Sequence, residues 1–276
     1  MACSAIFREK SVRSRRRVTA LHTSSLVARL APRLDVFDNF PRGDGERGAF
    51  VLAFAKALGP VERVADIGGG ANPLLDEARL QANGIECTLL DISAQELKKA
   101  PACYKQILVD MTTSLDDFCE RVGRKRFDLM FSNDFLEHVR NPVRVHENIF
   151  AALRPGGLAI HFYPSPRCIP LVVNRLMPDW LTRPLLRMAQ PHRDINGKQG
   201  KFPAFYVMCG APSDDLRCRY EQLGFDVIRH TGYIGHDYYQ RFPIAREIEH
   251  ALRPILCYAG IPSISRAILV LQKHSK

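Results

Sequence analysis

The chain has 276 residues, of which 46% are hydrophobic and 25% are charged, a composition typical of a globular domain that excludes extensive disorder. No stretch approaches the ~18 uninterrupted apolar residues of a transmembrane helix, so no membrane span is expected. The eight cysteines are scattered, without a C-x-x-C pair or a histidine cluster at zinc spacing. We therefore expect no bound metal and a reducing, cytoplasmic location.

The formal net charge of +10 is concentrated in residues 1–33, which hold eight basic residues and one acid. A segment that is rich in arginine, contains serine and is nearly free of acids is typical of three things. It can be an unstructured leader, an organellar transit peptide, or an arm that binds nucleic acid or a membrane, and all three interpretations stay open. We treat residues 1–33 as a basic, disordered leader and residues 34–276 as a single domain.

Short apolar runs alternate with helical patterns from about residue 44 to residue 163, the rhythm of βαβ units around a mostly parallel sheet. The first strand is predicted at residues 61–67 and is followed by a glycine turn. Asn72 suits a helix N-cap and Pro73 suits the first helical position. These residues predict a helix that begins there and ends near Asn83, with Gly84 at its left-handed C-terminal position.

The alternation continues downstream. A second strand is predicted at residues 86–91, and the spacing from Ser93 to Glu96 is that of a capping box that begins a helix. A third strand at 107–109 ends at Asp110, and Ser114 caps a helix that ends at Gly123. A fourth strand at 127–131, a helix at 142–153 and a fifth strand at 158–163 follow, with Arg-Pro-Gly-Gly at 154–157 ending the helix.

Two irregular stretches, at about residues 164–211 and 232–265, are interpreted as insertions on the substrate side of the domain. Between them, Ser213 caps a predicted helix that ends before Gly224, and a strand is predicted at 225–229. The second insertion has a helical middle, and the last strand is predicted at 267–271.

The glycine turn at residues 68–70 follows a strand and opens a helix, the context in which glycines let a ligand approach the backbone. A dinucleotide fingerprint would need a further glycine where Pro73 stands. Asp91, at the end of the second strand, is placed to bind both ribose hydroxyls of an adenosine. These residues do not separate S-adenosylmethionine (SAM) from NAD, and a plain tight turn with Asp91 as a helix cap is a further alternative. A short-chain NAD reductase is disfavoured, because no tyrosine has lysine four positions on.

Five strings, in this order and spacing, resemble the class I SAM-dependent methyltransferases, and among these the small-molecule, type 11-like group. They are VADIGGGANP, LLDIS, ILVDM, FDLMFSNDFLEHV and LRPGG, and they cover about residues 45–163. The resemblance implies SAM as methyl donor and a Rossmann-like α/β fold. Its mostly parallel sheet, flanked by helices, has seven strands in the order 3-2-1-4-5-7-6 with the last antiparallel, and a helical insertion follows strand 5. The strands predicted above agree with that number.

The resemblance also implies which residues hold SAM. Asp66, with Gly68, Gly69 and Gly70, would surround the methionine end. Asp91 and Ile92 would hold the ribose. Asp110 and Met111 would contact the adenine. Asn133 and Asp134 would lie at the junction of cofactor and acceptor. Two simpler interpretations stay open. Asp110 can accept turn hydrogen bonds, and Asp134 can form a capping box with Glu137.

Methyl transfer from a sulfonium mainly requires alignment of the acceptor, and a hydroxyl acceptor also requires a base. The candidate bases are Asp134, His138, His161, His192 and His236, although each histidine taken alone is more often structural. The N-P-P-Y signature of amino-group methyltransferases is missing, since Asn141-Pro142 comes too late and lacks the aromatic residue. We therefore favour oxygen as the methylated atom.

The acceptor is expected to contact the segments that depart from the common core. Residues 164–205 interleave apolar side chains and Trp180 with arginines, a pattern that suits a peripheral membrane contact, a cover over an amphiphilic substrate, or an ordinary lid helix. An aromatic cluster in the second insertion, Tyr233, His236, Tyr238, Tyr239 and Phe242, suits a ring or a sugar face and equally suits core packing. A small-molecule, glycan or lipid acceptor is the resulting hypothesis.

Two alternative functions remain. An RNA methyltransferase would use the basic leader as an electrostatic arm, but the near-neutral remainder of the chain makes a nucleic-acid partner less favoured. A non-catalytic relative with the SAM fold would act through a partner.

Overall fold

The computed structural model describes residues 34–166, 168, 203–236, 243–258 and 263–274. The leader, most of the first predicted insertion with Trp180 and His192, and residues 237–242 with part of the aromatic cluster lie outside the described residues. Within the described ranges, no helix is both long and apolar enough to cross a membrane.

The described strands form one eight-stranded sheet. They are β1 Leu34–Val36, β2 Arg63–Ile67, β3 Glu86–Asp91, β4 Lys105–Leu108, β5 Phe127–Asn133, β6 Leu153–Pro164, β7 Phe225–Ile234 and β8 Ile264–Lys273. Their spatial order is β4-β3-β2-β5-β6-β8-β7-β1. Neighbouring strands are parallel except where β8 pairs with β6 and β7. From β4 to β7 this is the predicted order, and its antiparallel last strand is confirmed.

The predicted count of seven strands is wrong, because β1 adds an eighth at the edge. β7 runs on to Ile234, well beyond its predicted end at residue 229, and so presents unpaired backbone groups to a further strand. β1 pairs with these in parallel, Leu34 opposite Gly232 and Val36 opposite Ile234. A three-residue strand carries too little alternation to be recognised from its sequence.

Seven α-helices surround the described sheet. They are α1 Gly43–Leu58, α2 Glu77–Asn83, α3 Ala94–Leu97, α4 Leu115–Val122, α5 Pro142–Ala152, α6 Asp214–Gln222 and α7 Pro243–Tyr258, and short 3-10 helices span Phe37–Asn39 and Leu136–His138. The predicted caps Ser93, Ser114 and Ser213 each accept a hydrogen bond from the backbone N–H three residues on, as expected for N-caps. α1 was not among the predicted elements.

The predicted start of α2 at Asn72-Pro73 is wrong by four residues. The helix begins at Glu77, where the Asp76 side chain caps it by accepting from the Arg79 N–H. Residues 72–74 remain in the turn because the Leu74 N–H donates to Asp66 Oδ2 at 2.9 Å instead of to a helix cap. The predicted helix end is confirmed, with Gly84 in the left-handed conformation at φ 62°.

Several strand ends also differ from the prediction, most of them because a neighbouring strand pairs with more of the backbone. β5 extends to Asn133, which lies opposite Phe162 of β6, and β6 begins at Leu153, opposite Phe127. The Arg-Pro-Gly-Gly segment therefore lies within β6 and not before it. β4 begins two residues before its predicted start, with Lys105 opposite Thr88 of β3, and ends one residue early at Leu108.

Two apolar clusters cover the two faces of the sheet, which gives an α/β/α sandwich. One contains Phe118 of α4, Ile149 of α5 and Tyr220 of α6. The other contains Val51 of α1 and Leu80 of α2. Packing on both faces holds the parallel strands rigidly, so the residues that follow β2, β3, β4 and β5 share one edge of the sheet, here called the carboxyl edge.

Candidate active site

The carboxyl edge brings together the ends of β2, β3 and β5. In the sheet register Ile67 lies opposite Leu90 on one side and Ser132 on the other. The next residues along each strand, Gly68, Asp91 and Asn133, are therefore neighbours. The Gly68 N–H donates to the Leu90 carbonyl at 2.8 Å and fixes the glycine turn over β3.

The glycine turn lies against two carboxylates with no room for side chains. A Cβ on Gly69 would lie 2.7 Å from Asp66 Cγ, and one on Gly70 would lie 3.0 Å from Asp91 Oδ2. Gly68 and Gly70 also have φ values of +76° and +41°, which disfavour other residues. Glycine is thus required here both by conformation and by the close approach of Asp66 and Asp91.

Asp66 lies against this turn and binds its far end. Its side chain is 2% exposed and accepts a hydrogen bond from the Leu74 N–H, which ties the far end of the turn to β2. Burial is the main reason that the pKa of Asp66 rises to about 7. The carboxyl group therefore stabilises the loop on which the methionine end of SAM is expected to rest.

Asp91 lies at the end of β3, half-buried beside the turn. Its Oδ1 accepts from the Ser93 N–H at 2.7 Å, while Oδ2 faces Gly70. Burial raises the pKa of Asp91 from its usual value. Ile92 beside it is exposed. Asp91 is not the helix cap, because Ser93 has that function for α3.

Asp110 and Met111, the residues assigned to the adenine, follow β4 at the same edge. Asp110 is exposed, and its Oδ1 accepts from both the N–H and the hydroxyl of Thr112 at 2.7 Å, the turn role considered for it. Met111 is buried in the core cluster, and its carbonyl accepts from the Asn148 amide at 3.0 Å. Its side chain thus packs below the surface on which an adenine would lie.

Asn133 ends β5 and Asp134 follows it, and each is held by an arginine from a distant part of the chain. Asn133 Oδ1 accepts from Arg47 Nη1 at 3.1 Å, and Asp134 Oδ1 accepts from Arg266 Nη1 at 2.6 Å. The capping-box alternative for Asp134 is wrong. The N-cap of the Leu136–His138 helix is Phe135, which has no side-chain cap bond.

Arg47 and Arg266 were not identified from the sequence. Both guanidinium groups also lie near the ring of Phe40, with Cζ at 5.6 and 5.5 Å from its centroid. Burial, and then the nearby Arg266, lower the pKa of Arg47. α1 and β8, which carry the two arginines, lie outside the recognised strings, so no local signal could have found them.

Glu137 was noticed in the sequence as a capping partner, and the structure gives it a different environment. Its side chain is 4% exposed, and burial, followed by the Asp134 carboxylate, raises the pKa of Glu137 to about 8. Its carbonyl accepts from the Phe205 and Tyr206 N–H groups at 2.7 and 3.2 Å. The backbone of Phe205 and Tyr206 is therefore held against the segment that follows β5.

Comparison with known proteins identifies the chain's family. Residues 26–230 match the model of a methyltransferase domain family. The chain belongs to this methyltransferase family. No relative among the curated proteins matches it.

Solved structures agree with this fold. A SAM-dependent methyltransferase from Archaeoglobus fulgidus aligns with a TM-score of 0.50 and 15% identity, over 84% of this chain and 95% of that one. A methyltransferase of Haloferax volcanii in complex with the Trm112 methyltransferase activator aligns with a TM-score of 0.50 and 15% identity, over 86% of this chain and 95% of that one. The family match confirms that the chain is a methyltransferase. The solved structures confirm the fold implied by the resemblance to class I SAM-dependent methyltransferases.

Three of the candidate histidines of the methyltransferase are described by the structure, and they lie in different environments. His138 is partly exposed at the carboxyl edge, where its Nδ1 lies 2.9 Å from the Pro203 carbonyl. His161 is fully buried in β6, 2.8 Å from Ser132 Oγ, and burial lowers the pKa of His161 well below its usual value. His236 is buried beyond β7, with Nε2 3.8 Å from Glu249 of α7. Of the three, His138 belongs to the segment that follows β5, and its Nε2 lies 3.7 Å from Glu137 Oε1.

The described part of the methyltransferase contains no group of three or more acidic, histidine or cysteine side chains arranged to hold a metal ion. The candidate site therefore consists of the glycine turn, the carboxylates Asp66 and Asp91, and the polar residues that follow β5.

Proposed function

We propose that this methyltransferase transfers the methyl group of SAM to an oxygen atom of a small-molecule, glycan or lipid acceptor at the carboxyl edge. The observation that carries the proposal is the glycine turn, which lies against Asp66 and Asp91 without space for a side chain. Such a turn lets a ligand approach the backbone at the point where a carboxylate can bind a ribose.

The cofactor roles in this proposal follow the order of the strands along the edge. Gly68, Gly69 and Gly70, supported by Asp66, would hold the methionine portion, and Asp91 with Ile92 would hold the ribose. Asp110 and Met111 would border the adenine, and Asn133 would face the sulfonium end. The turn bonds of Asp110 occupy one carboxylate oxygen and are compatible with a second contact through the other.

The proposed base is His138. Donation of its Nδ1 proton to the Pro203 carbonyl would leave the basic lone pair on Nε2. A hydroxyl that approaches the methyl group in line with the sulfonium bond could then transfer its proton to Nε2 as the new carbon–oxygen bond forms. Asp134 is the alternative base, although its ion pair with Arg266 favours an orienting role.

Oxygen is preferred over nitrogen because the amino-methyltransferase signature is absent from this sequence. An RNA acceptor is the alternative, and the near-neutral charge of residues 34–276 argues against it. Deletion of residues 1–33 distinguishes an RNA acceptor from the proposed acceptors. An arm that binds RNA would be needed for activity, whereas a leader would not.

The direct test is incubation of the protein with methyl-labelled SAM and fractionated host extract. The proposal expects label in small molecules, glycans or lipids. The labelled methyl group should be bound to oxygen, as an ether or ester, and not to nitrogen. Label confined to RNA or protein would overturn the acceptor assignment. SAM that binds and is never consumed would favour a non-catalytic protein.

A further inference from the structure

Two arginines from distant parts of the chain share one aromatic ring at the carboxyl edge. The Cζ atoms of Arg47, in α1, and Arg266, in β8, lie 5.6 and 5.5 Å from the centroid of the Phe40 ring. Phe40 is in turn buried against the ring of Tyr233, which it contacts edge-on with the centroids 5.0 Å apart. The two guanidinium groups, here called the arginine pair, are therefore held near each other on a rigid support.

Arg47 has a hydrogen-bond donor that the described part of the chain does not use. Its Nη1 donates to Asn133 Oδ1 at 3.1 Å, whereas its Nε is buried and has no hydrogen-bond partner among the described residues. A buried donor without a partner costs free energy, and in native proteins it calls for an explanation such as a bound ligand or an ordered water. Arg47 is thus suited to donate to an oxygen that arrives with a ligand.

The positive charge of the arginine pair is only partly balanced. Arg266 is paired with the Asp134 carboxylate, but Arg47 bonds to a neutral amide and lies 3.6 Å from Asp44, whose side chain is 65% exposed and screened by water. Glu137 is mostly protonated at pH 7, since its pKa is about 8. Burial and the neighbouring Arg266 charge lower the pKa of Arg47, and they outweigh the opposing effect of the nearby carboxylates. A bound anion would therefore stabilise the pair.

The sheet order indicates which side of the site such an anion would occupy. The glycine turn follows β2, whereas Arg266 belongs to β8, three strands away in the order β2-β5-β6-β8. At about 4.8 Å per strand, the backbone of Arg266 is about 14 Å from that of β2. Arg47 reaches the same side through its bond to Asn133 at the end of β5. An anion that contacts both guanidinium groups therefore lies on the β5–β8 side of the glycine turn.

We propose that the arginine pair binds a carboxylate or phosphate group of the methyl acceptor, in addition to the oxygen that is methylated. A guanidinium group can donate two parallel N–H bonds to such a group, so two of them would fix both the position and the orientation of the acceptor. This inference rests on the proposed function, because it concerns the acceptor of the same reaction. It narrows the acceptor to an anionic molecule.

The binding test uses inorganic phosphate as the probe, with protein saturated with S-adenosylhomocysteine (SAH), the product that remains when SAM has lost its methyl group. Saturation fills any position that the carboxylate of the cofactor would take. Phosphate should raise the Tm of the SAH-loaded protein at millimolar concentrations, with ionic strength held constant by chloride. Arg47→Gln and Arg266→Gln should each weaken this effect by at least about tenfold, since each removes a charge-assisted contact.

The matched control is Arg219→Gln, which removes an exposed ion pair with Asp215 on α6 and should respond to phosphate like the unmodified chain. Circular dichroism confirms folding. If the glutamine variants unfold, Arg47→Lys and Arg266→Lys replace them, with phosphate binding weakened by about threefold or more, because lysine keeps the charge and loses the planar fork.

Three results of the binding test would overturn the proposal. The first is a phosphate effect in the arginine-pair variants as large as in the control. The second is no effect of phosphate on the unmodified, SAH-loaded chain. The third is a phosphate effect that is seen without cofactor and abolished by SAH, which would assign the pair to the carboxylate of the cofactor.

The activity test extends the incubation with methyl-labelled SAM and host extract. The labelled product should be retained by an anion-exchange resin at pH 8 and released by salt, because its remaining carboxylate or phosphate is charged. Label on an oxygen of a product that is not retained would overturn this inference and leave the proposed function intact. Label on a nitrogen of a retained product would overturn the proposed function and leave the arginine pair as an anion site.

Discussion

Asp134 and Arg266, 132 residues apart in sequence, form a 2.6 Å ion pair at the carboxyl edge of the sheet. Asp134 has φ +52°, a backbone conformation that is uncommon for aspartate, and its N–H donates to the Phe162 carbonyl at 2.9 Å. Phe162 of β6 and Arg266 of β8 thus together hold the residue that follows β5 in a strained conformation. Such strain persists where the surroundings enforce it and is frequent at functional sites.

Replacing Arg266 with alanine should impair catalysis more than folding. The partly exposed ion pair contributes about 1 kcal/mol to the free energy of unfolding. The loss of Asp134 orientation should lower kcat/KM by about tenfold or more. Thermal unfolding and initial rates measure the two effects. Arg246→Ala removes an exposed ion pair on α7 and serves as control. Equal rates in the two variants would show that the Asp134 orientation is irrelevant to the reaction.

Asp91→Ala should weaken SAM binding by about 1 to 3 kcal/mol, because charge-assisted hydrogen bonds to the ribose are lost. Titration calorimetry measures the dissociation constant directly. Asp116→Ala on α4, where the carboxylate is almost fully exposed, should bind SAM normally. An unchanged affinity in a folded Asp91 variant would refute the ribose assignment.

Gly69→Ala should disrupt the turn although its backbone conformation permits alanine. The added methyl group would lie 2.7 to 3.0 Å from the Asp66 carboxyl group, which is buried and cannot move away easily. We expect a loss of about 1 to 3 kcal/mol in unfolding free energy and at least about tenfold weaker SAM binding. Gly45→Ala in α1, where the nearest atom would be 3.5 Å away, should be neutral or slightly stabilising. Similar behaviour of the two variants would mean that the turn tolerates side chains.

His138→Gln should lower kcat by about 100-fold while the dissociation constant of SAM stays the same, as expected for loss of a base that does not contact the cofactor. Single-turnover rates and calorimetry separate these quantities. His274→Gln, a partly exposed histidine paired with Asp226, is the matched control. A proportional fall of SAM affinity and rate would indicate a structural role instead.

Glu137 should make the protein less stable as pH rises. Its pKa is about 8 in the fold and about 4.5 when unfolded, so the folded state holds a proton that the unfolded state has released between these values. The stabilisation is complete below about pH 4.5 and is lost as pH rises to about 8. The unfolding free energy of the wild type, minus that of Glu137→Gln, should therefore fall by at least ~1 kcal/mol between pH 5 and 8. Denaturant titrations along this range measure it, and a flat difference would contradict the assignment.

Residues with strong local signals were predicted well. Ser93, Ser114 and Ser213 cap their helices, and Gly84 ends α2, because caps depend on a few neighbouring residues. The strand order followed from the family resemblance, since the strings at the ends of β2 to β5 identify the fold that brings them to one edge.

The parts that were missed depend on distant contacts. Asn72 has the sequence features of a helix cap, but Asp66 binds the Leu74 N–H and delays α2 until Asp76. β1 exists because β7 is long enough to pair with it. Arg47 and Arg266 reach the site from α1 and β8, and sequence spacing holds no information about such a meeting.

β8 lies between β6 and β7, both of which precede it in the chain, and it pairs with each of them over nearly its full length. The three strands beyond β6 are therefore joined to the rest of the sheet only when residues 264–273 lie between two strands that precede them in the chain. Pairings of this kind form slowly, because a long loop must be ordered before the contacts that reward it. Since Arg266 lies on β8, Asp134 has its ion-pair partner only when β8 is in place between β6 and β7.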